Sequence, residues 1–281
     1  LHKEYRRQRQ MCIRDSFDSR SEPASPGSLS VPELATILSM SGIIFLSAVL
    51  RGFTGFGFGL AAVPLMGLVI EPAGAVLIAL ALQFLGGASD LRAGRQLAHW
   101  PTLRWLMLGA LAGTPVGMAA LMGVSSGMAQ LLISAVCLSA VGLLAAGRSF
   151  VNLPGRGATV AVGALAGLFN GLAAMPGPPV VAFYLAAPVS AQVARVSLVV
   201  FFTVTAALAL TPTILGGWWT PELALTAAAG LPLMIFGTHA GNRLFRLYGA
   251  RHHRAASLAV FACIALVSGV HGIAAVLSAA S

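Results

Sequence analysis

Apolar runs of up to about twenty residues, separated by breaks of only a few, limit what this chain can become more than any other feature. From Val31 onward they fall at roughly 34–50, 56–70, 73–91, 101–123, 126–147, 158–170, 175–187, 192–215, 221–245 and 255–277. A helix rises 1.5 Å per residue and a hydrocarbon core is about 30 Å thick, so a crossing needs about 20 residues. Six runs reach that length or nearly. Runs 34–50 and 56–70 are marginal, and the thirteen residues of 158–170 or of 175–187 make only about 20 Å of helix. Composition agrees. The chain is 57% hydrophobic and 9% charged, with a mean hydropathy of +0.87, whereas soluble domains carry about 25% charge. The expected fold is therefore an all-α integral membrane protein, a polytopic helical bundle of about 8–10 hydrophobic segments.

The net charge of +9 is not evenly spread. Residues 6–15 read Arg-Arg-Gln-Arg-Gln-Met-Cys-Ile-Arg-Asp, the peptide that a common transposase sequencing adapter encodes. Leu1 to about Ser16 is accordingly read as a translated adapter, and the polar stretch on to Ser30 as a solvated linker. Beyond residue 30 stand 11 Arg against Glu33, Glu71, Asp90 and Glu222, net +7. No nucleic-acid partner is expected from a basic tail of that origin. Cys12, Cys137 and Cys263 form neither a disulfide framework nor a metal-binding spacing.

The arginines set an expected sidedness. They fall at 51; at 92, 95 and 104; at 148 and 156; at 195; and at 243, 246, 251 and 254. These positions lie in or beside the odd-numbered connections, and the even-numbered ones contain none. The positive-inside rule then makes the odd connections, including loops 92–99 and 243–254, cytoplasmic and both termini extracytoplasmic.

The two halves are alike. Gly55 and Gly171 are 116 apart, as are Pro72 and Pro188; Gly113-Thr114-x-x-Gly117 recurs as Gly237-Thr238-x-x-Gly241, and Cys137-x-x-x-Val141 as Cys263-x-x-x-Val267. Matches in order at a nearly constant offset indicate a repeat. Five segments per half, an odd number, make the two repeats inverted. Each contains a Gly-rich broken or re-entrant pair, an arrangement found in transporters with a midplane site. The expected organisation is a tail at 1–30, a first membrane repeat at 31–147, a cytoplasmic linker at 148–156 and a second repeat at 157–281.

Arg51-Gly-Phe-Thr-Gly-Phe-Gly-Phe-Gly-Leu-Ala-Ala-Val-Pro64 resembles the Gly-rich first motif of the sulfite exporter TauE/SafE family. Gly167-Leu-Phe-Asn-Gly-Leu-Ala-Ala-Met-Pro-Gly-Pro-Pro179 is similar to its second-half counterpart, and Gly94-Arg-Gln-Leu-Ala-His-Trp100 to the loop that follows the first. The resemblance covers about residues 34–277. It implies a multi-pass protein of the cell's inner membrane that moves sulfite, sulfonates or related sulfur oxyanions or carboxylates, without a cofactor. The second motif departs in having Ala173-Ala174-Met175 where the family has more Gly.

An anion entering a bilayer must have its hydration replaced. Backbone N–H groups at a helix N-terminus, with the dipole behind them, can do this, and glycine lets a ligand approach the backbone. The candidate substrate-binding residues are Arg51, Thr54, Gly55, Gly57, Gly59, Asn170, Gly171, Pro176 and Gly177, with Gln83 as polar lining. Each has a second reading. Arg51 sits at a membrane-embedded tip if the first pair is re-entrant, and is an ordinary flanking charge if the first run crosses. Thr54 and Asn170 can bond an oxyanion or their own turns, and Gln83 a ligand or another helix. Gly163, Gly167, Gly171, Gly113, Gly117, Gly237 and Gly241 have the small-xxx-small spacing of helix packing. His239 and His271 read as helix–helix hydrogen bonders, His99 as a solvated loop residue, and Met234 as filler.

Two other classes compete with a transporter. An intramembrane enzyme would need a nucleophile–base pair or a metal cluster, and no His-Glu-x-x-His, Gly-x-Ser-x-Gly or Gly-x-x-x-x-Gly-Lys occurs. A membrane scaffold or assembly factor without its own substrate predicts no polar groups converging at mid-membrane. The expected partners are a small anion and the lipid bilayer, with homo-oligomerisation left open.

Overall fold

The computed structural model describes residues 31–54, 57–94, 96–145 and 154–280, and every regular element among them is a helix. The expected tail at 1–30 lies outside the described residues, as does 148–153 of the expected linker. In chain order the helices are α1 (Val31–Thr54), α2 (Phe58–Met66), α3 (Pro72–Gly94), α4 (Trp100–Met122), α5 (Ser126–Ala145), α6 (Arg156–Ala173), α7 (Gly177–Ala186), α8 (Ala191–Leu215) and α9 (Pro221–Ala280). Five stretches are long and apolar enough to cross a bilayer: Ala35–Phe53, Trp100–Met122, Ser126–Leu143, Gln192–Leu215 and Pro221–Leu244. Side chains such as Leu46, Leu111, Val116, Leu225 and Phe236 point outward from them, as lipid-facing positions must. This is a multi-pass membrane protein.

The broken pairs differ from two equal short runs. In each, a long first arm meets a short second one. The 24 residues of α1 are followed by the nine of α2, and the 18 of α6 by the ten of α7. Run 158–170 is lengthened at both ends, and 56–70 is cut short because Gly67 caps α2.

α2 survives as a half-helix because its neighbours complete it. Pro64 lies inside it and has no N–H, so the Leu60 carbonyl one turn back loses its helical donor. The Cys137 thiol on α5 donates to that carbonyl at 3.6 Å. The Gln130 amide, also on α5, donates at 3.2 Å to the Pro64 carbonyl, which the end of the helix leaves exposed. All of α2 except Leu65 is buried, and an unsatisfied backbone group in such surroundings costs several kcal/mol.

The expected 243–254 loop is helical, within the 60 residues of α9. Straight, that element would be about 90 Å long. Yet Leu223 packs beside Gly74, and His271 shares a cavity wall with Glu71 and Pro72. Both ends therefore reach the same end of the bundle, so α9 doubles back as two arms.

Glycines make the tightest seams. α4 and α6 share the most extensive interface, with Gly109, Gly113 and Gly117 set against Gly163, Gly167 and Gly171. A Cβ on Gly113 would strike the Ala164 carbonyl, and one on Gly117 that of Leu168. The α1–α9 crossing repeats these contacts. Gly237 meets the Phe45 carbonyl and Val49 amide, and Gly241 the Val49 carbonyl and Phe53 amide. Gly52 meets the Thr238 carbonyl and Asn242 amide as Gly171 meets those of Thr114 and Met118. Gly171 thus pairs with Gly52, one helical turn before Gly55.

His99 and His239 differ from expectation. His99 caps α4, its Nδ1 2.7 Å from the Thr102 hydroxyl and its N–H donating to Ser197 Oγ. The His239 ring bonds the Ile235 carbonyl of its own helix.

Gly117→Ala should therefore lower stability by about 2 kcal/mol or more, since backbone cannot yield cheaply. Gly142→Ala, with nothing within 4 Å of the new Cβ, should be neutral or stabilising by up to about 1 kcal/mol. Thermal unfolding of the two variants in detergent compares them.

Candidate functional site

The short arms begin at opposite walls of one cavity. At the start of α2, Gly57 has φ 95° and ψ 10°, a left-handed conformation that costs other residues about 1–2 kcal/mol. The first intrahelical bond runs from Ala61 N–H to the Gly57 carbonyl at 3.2 Å. The N–H groups of Phe58, Gly59 and Leu60 therefore have no acceptor within the helix, and the dipole places partial positive charge there.

The α7 end is different. Pro176 is its N-cap and Gly177, Pro178 and Pro179 form its first turn. Proline fits an opening turn but carries no N–H, so in this turn Gly177 alone has one. α7 thus has a helix dipole but few donors at its start.

Between α6 and α7 the chain turns at Ala174, at φ 51°. Its N–H bonds the Asn170 carbonyl at 2.8 Å, and Met175 N–H bonds that of Phe169 at 3.2 Å. This left-handed position explains why glycine would be at home in the second motif. The turn aims the Ala174 carbonyl across the molecule, where Gln83 Nε2 of α3 donates to it at 2.9 Å. Gly59 of α2 packs against the same carbonyl so closely that any Cβ would collide with it. Three elements from the two halves of the sequence therefore meet at one oxygen.

Beside that oxygen lies a cavity of about 40 Å³, room for about three water-sized groups. Its walls include Gly57 to Leu60, Ala174 to Pro178, Gln83, Gly87, Phe202, Thr203 and Arg51. Gln83 stands midway along α3, and Thr203 midway along α8, which fixes the depth near the middle of the bundle. Thr203 donates its hydroxyl proton to the Val199 carbonyl at 2.8 Å.

Arg51 lines the same cavity. α1 is long enough to cross, yet the Arg51 guanidinium points inward, with Nη1 3.9 Å from Met234 Sδ. Met234 is buried halfway along the first arm of α9. Among the described cavity-lining residues Arg51 is the only charged one.

Of the sequence candidates, the structure brings together Arg51, Gly57, Gly59, Gln83, Pro176 and Gly177. Gly171 lies in the α4–α6 seam. Asn170, fully buried, donates through Nδ2 to the Thr205 carbonyl of α8 at 2.8 Å and is absent from the cavity wall. Gly55 and the Thr54 side chain lie outside the described residues. Sequence reasoning missed Thr203 and Phe202. Thr203 carried a usable signal, because like Gln83 it is a polar residue midway along an apolar run; Phe202 carried none.

Comparison with known proteins places a family model, described as Sulfite exporter TauE/SafE, over residues 40–268. No curated protein and no solved structure matches the chain.

Ala174→Gly should raise stability by about 0.5–1 kcal/mol by relieving the left-handed alanine. Gly59→Ala should lower it, since the new methyl group has only backbone to displace. Gln83→Leu should lower it by about 1–3 kcal/mol, the cost of leaving the Ala174 carbonyl unpaired. Thermal melts of the purified variants test all three.

Proposed function

The chain belongs to the sulfite exporter TauE/SafE family, and from that premise we propose that it is a secondary transporter whose cargo is a small anion. The cargo class is sulfite, an organosulfonate, or a related sulfur oxyanion or carboxylate. The observation that carries this is the mid-bundle cavity where the Arg51 guanidinium and the donor-bearing start of α2 face one space. A charge held at that depth is expensive unless it has work to do. A scaffold without substrate predicts no convergence of Arg51, Gln83 and Thr203, so their common cavity supports the transporter reading.

The chain's own residues would act by substitution for water. The amides of Phe58, Gly59 and Leu60 and the Arg51 guanidinium replace hydration on the anion's oxygens. Gln83 positions the opposing turn, and the glycines keep side chains out of the path. The recurrence of the α4–α6 contacts in α1 and α9 supports two inverted repeats that rock about this site, the mode expected of such transporters. The proposed setting is the cell's inner membrane, with the arginine-bearing connections cytoplasmic. Energy is drawn from an ion gradient or a separate subunit, since the sequence holds no nucleotide-binding motif.

Uptake and efflux in proteoliposomes with sulfite, thiosulfate, sulfoacetate and acetate should identify at least one transported anion. Arg51→Gln should reduce transport at least tenfold while the protein still inserts. Gly177→Leu should do the same, because a Cβ there already touches the Phe202 ring at 3.5 Å and the longer side chain crowds the cavity. Near-normal rates in both variants would remove the site assignment. Gly94→Cys and Ser125→Cys, in a background without native cysteines, should label from opposite membrane faces with an impermeant reagent. Labelling from one face would overturn the sidedness.

A further inference from the structure

The cavity's donors are unevenly placed. Most lie on the α2 side, at the amides of Phe58, Gly59 and Leu60 and at Arg51, while the opening turn of α7 offers one N–H, at Gly177. The facing wall is Met175, Pro176, Gly177, Pro178 and Phe202, where Pro176 and Pro178 offer no N–H. Phe202 closes that wall. Its Cζ lies 3.5 Å from the position a Cβ on Gly177 would take, so the ring covers the one glycine that leaves space on the α7 side. Phe201, its fully buried neighbour on α8, lies edge-on to it, with centroids 6.3 Å apart and planes at 68°.

We propose that Phe202 is the residue that sets the upper size of the transported anion, acting as an apolar stop opposite the donor wall. The inference rests on the anion-transport reading above and adds its selectivity. An oxyanion turned toward α2 and Arg51 presents its far side to Phe202 and Pro178. In a cavity of about 40 Å³, room for about three water-sized groups, a compact oxyanion fills the space. A sulfonate carrying a carbon chain must push its substituent against a ring that cannot hydrogen-bond to it. Phe202→Ala removes the ring and opens space on the order of 100 Å³, similar to that left by other large-to-small changes in packed interiors. The apolar lining left behind by Met175 and Pro178 suits an alkyl chain.

The full-length protein in proteoliposomes is compared as wild type, Phe202→Leu and Phe202→Ala, with sulfite and sulfoacetate supplied separately. Thermal melts confirm that each variant is folded. Wild type should favour sulfite by at least about tenfold, the scale on which a close-fitting apolar pocket rejects added carbon. Phe202→Ala should narrow that ratio about tenfold by raising the sulfoacetate rate, and Phe202→Leu should fall between. If Phe202→Ala does not fold, Phe202→Leu alone must shift the ratio for the proposal to stand. Equal rates for both anions in wild type, or an unchanged ratio in a folded variant, overturns the size limit. Movement of neither anion, nor of thiosulfate or acetate, by wild type overturns the transporter reading itself, and the size limit falls with it.

Discussion

Inside a bilayer no backbone amide or carbonyl can turn to water, and a chain that breaks its helices there must find other partners for every group the break exposes. This protein breaks two, and the repairs determine much of its interior. The Leu60 carbonyl freed by Pro64 is met by Cys137, the Pro64 carbonyl by Gln130 and the Ala174 carbonyl by Gln83. Each repair fixes one helix against another: α5 is tied to α2, and α3 to the turn before α7. The cavity is what remains between the broken ends once these ties are made. The groups that hold the short helices in place also hold the walls of that cavity.

The glycine seams solve a different problem. Between helices in lipid there is little hydrophobic drive, and close backbone approach supplies dispersion contacts in its place. The α4–α6 and α1–α9 crossings use the same glycine spacing and the same carbonyl-to-amide neighbours. Arg51 follows from the second crossing. Gly52 brings α1 so close to α9 that the neighbouring arginine is turned toward Met234 and the bundle centre.

Run length and hydropathy made the membrane class readable, and the glycine motifs pointed to both broken turns. What the sequence left open is physical in each case. Run length could not show that α1 and α6 extend while α2 and α7 stop, because polar and glycine residues in a helix do not end it unless the backbone is also capped. Gly171 and Gly177 look alike in sequence, yet one packs against Thr114 and the other faces a cavity. Which it does depends on a neighbouring helix far away in the chain. The asymmetry of donors, in contrast, was there to be read: three prolines among residues 176–179 already meant that α7 could not match α2 as a hydrogen-bonding terminus.

The seams also bear on motion. Two helices packed glycine to carbonyl cannot slide past each other by less than a full turn without driving Cα atoms into backbone oxygens, so shear within the α4–α6 or the α1–α9 pair is blocked. Any larger rearrangement must carry each pair as a rigid strut. Side-chain contacts, such as that of Thr203 on α8 against Gly87 on α3, leave more room for displacement. Any relative movement of α2, α3 and the turn before α7 must exchange contacts that converge on the single carbonyl of Ala174.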